Sequence, residues 1–95
     1  MIVEVSQEHI DRAVLYGSGC LEETCPISQA LLDAGFDEVR ADAGKISFWH
    51  EEEGEFFAQP TKKARAFMSR FDQFIIYGKG RLPKPTTLRL MEKRA

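Results

Sequence analysis

Apolar residues recur at helical spacing between residues 64 and 75, and this is the clearest pattern in the chain. Pro60 and Thr61 mark the start of the helix, and the apolar positions follow at spacings of three and four residues. At about 100° per residue these positions share one face, and basic and polar side chains occupy the opposite face. The pattern predicts a helix with one aromatic core face and one cationic outer face. The apolar positions are Ala64, Phe67, Met68, Phe71 and Ile75.

The first third of the chain predicts a short strand and then two helices. Ile2 to Val5 is the strand, and the first helix runs from Gln7 to about Tyr16 before Gly17-Ser18-Gly19 ends it. Pro26 opens the second helix, at a position where its missing N–H costs nothing. Gly35 ends that helix.

The middle and the end of the chain predict β structure. Residues 36–40 are a weak strand candidate, and residues 45–50 and 55–59 flank a hairpin loop that contains glycine. Residues 78–85 form a basic loop with two prolines that cannot stay helical. Residues 86–91 alternate and predict a last strand. The residues expected to cover a core in the hairpin are Ile46, Phe48, Trp49 and Phe57.

The predicted order is β-α-α-β-β-β-α-β, which indicates a small α+β domain with helices packed on a mainly antiparallel sheet. The length of 95 residues fits one domain over 1–95, with a flexible basic tail from about residue 92. Residues 74–77 continue the third helix or start a strand. The order of the strands in the sheet does not follow from the pattern.

Charge divides the chain near Thr61. Up to that residue, thirteen acidic residues face three basic ones, and after it ten basic residues face two acidic ones. The net charge of −2 therefore hides two oppositely charged segments. Such asymmetry indicates a charged partner or neutralisation of one segment by the other within the fold.

The basic segment is a candidate binding site for nucleic acid or for an acidic partner. Its cations lie on the predicted third helix and on the loop after it, and Phe74 and Tyr77 are placed to stack on a base. The sequence pI of about 5.7 argues against binding to nucleic acid. The alternative is that the helix is solvated and partly neutralised by residues 51–55. The candidate residues are Lys62, Lys63, Arg65, Arg70, Lys79, Arg81 and Lys84.

The hairpin loop is the candidate protein-binding site. Adjacent like charges repel one another, so this loop is either a solvated tip or a contact surface whose carboxylates substitute for phosphates in the nucleic-acid channel of a target. Its candidate residues are Glu51, Glu52, Glu53 and Glu55. Opposite charges on one chain are also compatible with a symmetric homodimer.

Catalysis and metal binding have weaker support. Cys20 and Cys25 with His9 and His50 are the only set of soft metal ligands, but the two cysteines are too widely spaced for a usual zinc motif. Cys25 lies at a helix start, where a thiolate is stabilised, yet no local nucleophile signature surrounds it. The run 78–80 lacks the pattern of a phosphate-binding loop. We therefore expect no metal, no cofactor and no enzymatic activity.

The stretch Cys25-Pro26-Ile27-Ser28-Gln29-Ala30-Leu31-Leu32-Asp33-Ala34-Gly35-Phe36 resembles a pattern in small uncharacterised phage and prophage proteins. These proteins have a helix that starts at Cys-Pro, an Ala-Gly-Phe turn, a hairpin, a helix like residues 64–72, and a basic link with proline into a strand like residues 85–90. The resemblance covers roughly residues 5–90, and the segment 74–80 is longer here. It implies a single fold unit and a phage context, and it transfers no catalytic residue.

The expected function is that of a non-catalytic phage-type interaction protein that binds a host or phage protein, as an inhibitor of a host defence complex of the anti-CRISPR kind. The alternative is a small nucleic-acid-binding accessory protein that uses the basic helix 62–73 and the loop 78–85. No apolar run approaches the roughly 20 residues that span a membrane, and Met1 to Val5 does not resemble a signal peptide. We expect reduced cysteines and a location in the cytoplasm of the bacterial host.

Overall fold

The computed structural model describes residues 1–17, 24–41 and 44–94. Within these ranges, three helices and five strands follow in the order β-α-α-β-β-β-α-β, which confirms the predicted α+β class. The elements are β1 (Ile2–Val5), α1 (Gln7–Tyr16), α2 (Pro26–Asp33), β2 (Asp37–Ala41), β3 (Ile46–His50), β4 (Gly54–Pro60), α3 (Lys62–Tyr77) and β5 (Thr86–Arg94).

The five strands form one antiparallel sheet in the order β1-β5-β4-β3-β2. The last strand, β5, lies between the first strand and β4, so the two ends of the chain are paired. Helix α2 packs against both β1 and β2, which are the two edge strands. The sheet is therefore curled around this helix.

The core lies on the face of the sheet that carries the helices. Phe48 of β3 pairs with Phe56 of β4, and their rings stack with centroids 5.4 Å apart. Phe36 meets the Phe48 ring edge-on, at 4.8 Å between centroids. Leu88 and Leu90 of β5 are fully buried in the same core. One apolar cluster thus joins the sheet to the helices.

The prediction for two of the four hairpin residues is wrong. Ile46 and Phe48 are buried, but Trp49 is 41% exposed and Phe57 lies on the opposite face from Phe48. Successive side chains of a strand point to opposite faces, so a buried Phe48 forces Trp49 outward. Phe56, which the pattern did not select, takes the place of Phe57 against the core.

The structure selects the helical alternative for residues 74–77 and makes the last strand longer than predicted. Helix α3 continues through residues 74–77 and ends where Gly78 adopts a left-handed conformation with φ of 65°. Strand β5 extends beyond residue 91, because Glu92, Lys93 and Arg94 pair with Ala58, Phe57 and Phe56 of β4. The described residues that we assigned to a basic tail are thus part of the sheet. None of the helices in the described ranges is long and apolar enough to cross a membrane.

Candidate functional site

Helix α3 presents its cations because its other face is buried. Ala64, Phe67, Met68 and Phe71 are buried as predicted. The Thr61 side chain caps the helix by accepting a hydrogen bond from the backbone N–H of Ala64, at 3.3 Å. The orientation of the helix about its own axis is therefore fixed by packing.

The loop over residues 78–85 is held in place at its start and again near its end. At its start, the N–H groups of Gly78 and Lys79 donate to the carbonyls of Phe74 and Gln73, at 3.0 Å each. Further along, Leu82 packs against the core and Pro83 is buried. The loop thus runs back alongside the helix in a fixed position. It forms a wall that faces α3.

Two adjoining grooves lie between α3 and this loop. The first has a volume of about 280 Å³ and the second about 330 Å³. Both are lined by Ala66 and Arg70, so the Arg70 side chain stands at their junction. We call them the basic grooves.

Five of the seven predicted cations line the basic grooves. Lys63 and Lys84 line the first groove, Lys79 and Arg81 line the second, and Arg70 lines both. Lys63 also donates from Nζ to the backbone carbonyl of Thr87 at 3.2 Å, which directs its side chain along the wall.

The remaining two predicted cations, Lys62 and Arg65, are exposed on α3 and line neither groove. Among the residues that the structure describes, no carboxylate lines either groove. Within the described ranges, no ion pair neutralises the cations of α3 or of the loop. The grooves therefore present concentrated positive charge to solvent.

Sequence reasoning missed the uncharged residues of the grooves. Pro83, Pro85 and Thr86 line the first groove, and Ser69 and Gln73 line the second. Hydroxyl and amide side chains beside cations add hydrogen-bond donors for an oxyanion. The Pro-Lys-Pro run after the helix was the available signal for a rigid wall.

In the described part of the chain, no exposed aromatic side chain lines the grooves to stack on a base. Tyr77 is exposed and Phe74 is half-buried, and neither lines a groove. The only aromatic residue in the described lining is Phe67, which is buried. The arrangement is suited to phosphate groups rather than to stacked bases.

The acidic hairpin lies at the other end of the sheet. Glu51, Glu52 and Glu53 form its turn and are exposed, and Glu55 follows on β4. Glu53 pairs with Arg94 at 3.7 Å, between two well-exposed side chains. These carboxylates therefore lie too far from α3 to neutralise it, and that alternative is wrong.

Strand β5 runs from one charged region to the other, so its length gives the distance between them. Its first residue, Thr86, lines the first basic groove, and its last residue, Arg94, contacts the acidic hairpin. Nine residues of strand span about 26 Å at roughly 3.3 Å per residue. This exceeds three Debye lengths at physiological salt, where one is about 8 Å, so the two regions are electrostatically independent there.

The cysteines and histidines are not gathered into a site in the described ranges. Cys25 is fully buried and precedes α2, while Cys20 lies outside those ranges. His9 bonds through Nδ1 to the Ser6 N–H at 2.9 Å and through Nε2 to Asp33 at 2.8 Å. His50 meets the Phe36 ring edge-on. Within these ranges, no three potential metal ligands come together.

No known protein family, no curated protein and no solved structure matches this chain.

Proposed function

We propose that the protein is a non-catalytic binding protein whose basic grooves hold the phosphate backbone of a nucleic acid. The observation that carries this proposal is the lining of the two adjoining grooves, which combines five cations with no carboxylate among the described residues. Phosphate contacts of lysine and arginine provide most of the affinity in sequence-independent binding.

The acidic hairpin does not oppose this function. The molecule carries a net charge of −2, but its most acidic segment is about 26 Å from the first groove along β5. At physiological salt, charges beyond about 8 Å are largely screened. The approaching nucleic acid therefore experiences the local cations of the grooves and little of the distant carboxylates.

The lining of the grooves also favours one kind of recognition. The described groove residues offer guanidinium, ammonium, hydroxyl and amide donors, and they offer no exposed aromatic ring. Contacts to the backbone position a protein on nucleic acid without reading its sequence. We expect similar affinities for different sequences.

A salt titration tests this function. Fluorescence anisotropy of a labelled mixed-sequence duplex is measured at increasing salt concentration. Five phosphate contacts predict a slope of log affinity against log salt of about −4.5. Absence of binding at low salt, or binding that does not weaken as salt increases, would contradict the proposal.

The acidic hairpin supports a second function, inhibition of a host defence complex through a protein partner. Three consecutive glutamates are exposed at its turn, and only Glu53 is paired within the described ranges. In the phage setting that the resemblance implies, in the cytoplasm of a bacterial host, these carboxylates would occupy the nucleic-acid channel of a protein. Reversal of Glu51, Glu52 and Glu53 to lysine should abolish capture of that partner, whereas reversal of Glu8 and Asp11 on α1 should not. Equal capture by both variants would reject this function.

A further inference from the structure

The three helices cover one face of the sheet, and the other face carries exposed apolar side chains. Ile2 is 67% exposed, Met91 63% and Trp49 41%, and the half-buried Phe57 lies among them. We propose that this open face is the contact surface of a symmetric dimer, in which a second copy of the chain packs its own open face against it. The proposal concerns a surface separate from the basic grooves and does not depend on them.

The apolar side chains of the open face form a continuous stripe across the three central strands. Phe57 of β4 pairs with Ser47 of β3 on one side and with Lys93 of β5 on the other. Trp49 lies two residues beyond Ser47, and Met91 lies two residues before Lys93, so both are diagonal neighbours of Phe57. Diagonal neighbours on one face are about 7–8 Å apart, within reach of aromatic side chains. The stripe therefore runs from Trp49 through Phe57 to Met91.

Charges on the open face change sign along this stripe. At the Trp49 end, Asp37 and Glu55 are the cross-strand neighbours of Trp49. At the other end, Lys93 flanks Phe57 and Arg89 lies beyond Met91 on β5. None of these four charged residues forms an ion pair within the described ranges. A polyanion would be repelled by half of this face, so its mixture of charges favours a protein partner.

A second copy has the matching arrangement of charges. Consider a two-fold axis that lies in the plane between the two sheets, passes through Phe57 and runs perpendicular to the stripe. Rotation about this axis places Trp49 of one copy opposite Met91 of the other. It also brings the two Phe57 rings together. The same operation brings Glu55 close to the Lys93 position of the other copy and Asp37 close to its Arg89 position. Each opposite-charge pair occurs twice, as an isologous contact requires. The strands of the two copies then cross steeply, as in the orthogonal class of sheet packing.

Two features of this arrangement are unfavourable, and the dimer should be weak. Arg40 of one copy lies near the backbone position of Lys45 in the other, at the rim. The Lys45 ammonium itself lies over its own Phe57 ring, 4.0 Å from the centroid, so it also has to move aside where the two Phe57 rings meet. A contact of three strands on a curled sheet buries less than the roughly 800 Å² per partner of a standard interface. We expect dissociation in the micromolar range or weaker.

Sedimentation of the full chain and the emission of its single tryptophan, Trp49, test the proposal together. Between about 1 μM and about 1 mM, we expect the mass to increase from monomer to dimer and the Trp49 emission to shift to shorter wavelength. Trp49→Glu should abolish the dimer. Leu15→Glu should not, because Leu15 is an exposed apolar residue of α1, away from the sheet. A monomer at the highest concentration, or equal dimerisation of both variants, would overturn the proposal.

A charge-exchange experiment separates the contact from any effect on folding. Glu55→Lys alone and Lys93→Glu alone should each weaken self-association, because each leaves like charges opposed across the interface. A mixture of the two variants should restore a dimer, since position 55 of each copy then faces an opposite charge at position 93 of the other. Restoration supports the two-fold arrangement, and failure of the mixture to associate more strongly than either variant overturns it.

Discussion

At the scale of single residues, Asp33 is the side chain that connects the first two helices. It is the last residue of α2, where the negative end of the helix dipole disfavours an acid. Arg12 of α1 donates to both of its carboxylate oxygens, and His9 bonds to one of them. The hydrogen bonds from Arg12, and then from His9, lower the pKa of Asp33 below its ordinary value. The ionised carboxylate thus favours the folded state.

The stability of the protein should depend on pH through the cluster of Asp33, Arg12 and His9. Because the pKa of Asp33 is lower in the folded state, its contribution is present at neutral pH and is lost as pH falls through that lowered pKa. Asp33→Asn should reduce the thermal midpoint at pH 7 and should have a smaller effect at about pH 2, where the Asp33 carboxyl is closer to protonation. Asp11→Asn is the control, since Asp11 is exposed on α1 and bonds only to the side chain of Gln7 within the described ranges. An equal loss for Asp33→Asn at both pH values would contradict the role of the charge.

At the scale of elements, the hairpin of β3 and β4 separates the core from the open face. The pairing of Phe48 with Phe56 sets both rings against the helices, and the next residue of each strand points away. Two apolar residues in succession occur in both strands, so apolar character alone does not reveal which of them is buried.

Alanine substitutions on the two faces should therefore differ in cost. Phe48→Ala removes a buried ring and should lower the free energy of unfolding by about 3–5 kcal/mol. Trp49→Ala removes a larger side chain but one that is 41% exposed, so its cost should be clearly smaller. Urea denaturation of the two variants measures the difference. A Trp49→Ala cost equal to that of Phe48→Ala would show that the faces are assigned incorrectly.

The same elements show what the sequence can predict. Helix α3 follows directly from the spacing of Ala64, Phe67, Met68 and Phe71, because a helical face is set by local periodicity. The extension of β5 to Arg94 was missed, since residues 92–94 are charged and their strand character comes from pairing with β4. The strand order was also beyond prediction, because it places β5 between β1 and β4, which are distant in the chain.

At the scale of the whole molecule, the charge division of the sequence becomes a separation in space. The basic grooves and the acidic hairpin lie near opposite ends of β5, in a molecule 39 Å long in its greatest dimension. Under the proposed functions, each region engages its own partner. The open face of the sheet adds a third surface, which the charge count did not indicate.

The sequence predicts which cations belong to the candidate site, but it does not predict how they are grouped in space. The cations of α3 and of the loop are evident in the sequence, but their grouping depends on how the loop returns along the helix. Leu82 and Pro83 fix that return, and as a result Arg70 joins the grooves while Arg65 does not. A contact of this kind is set by tertiary packing, and the Pro-Lys-Pro run indicates only that the loop is rigid, not where it lies.

The most direct test of the central claim compares two variants with the same loss of charge. Arg70→Gln with Arg81→Gln removes two cations from the basic grooves, and Lys62→Gln with Arg65→Gln removes two cations of α3 from outside them. The affinity for a labelled duplex is measured for both across a range of salt. We predict that the first pair weakens binding and reduces the steepness of the salt dependence by about 2, while the second leaves the slope nearly unchanged. Equal effects of the two pairs would show that charge alone matters and would contradict a defined phosphate site.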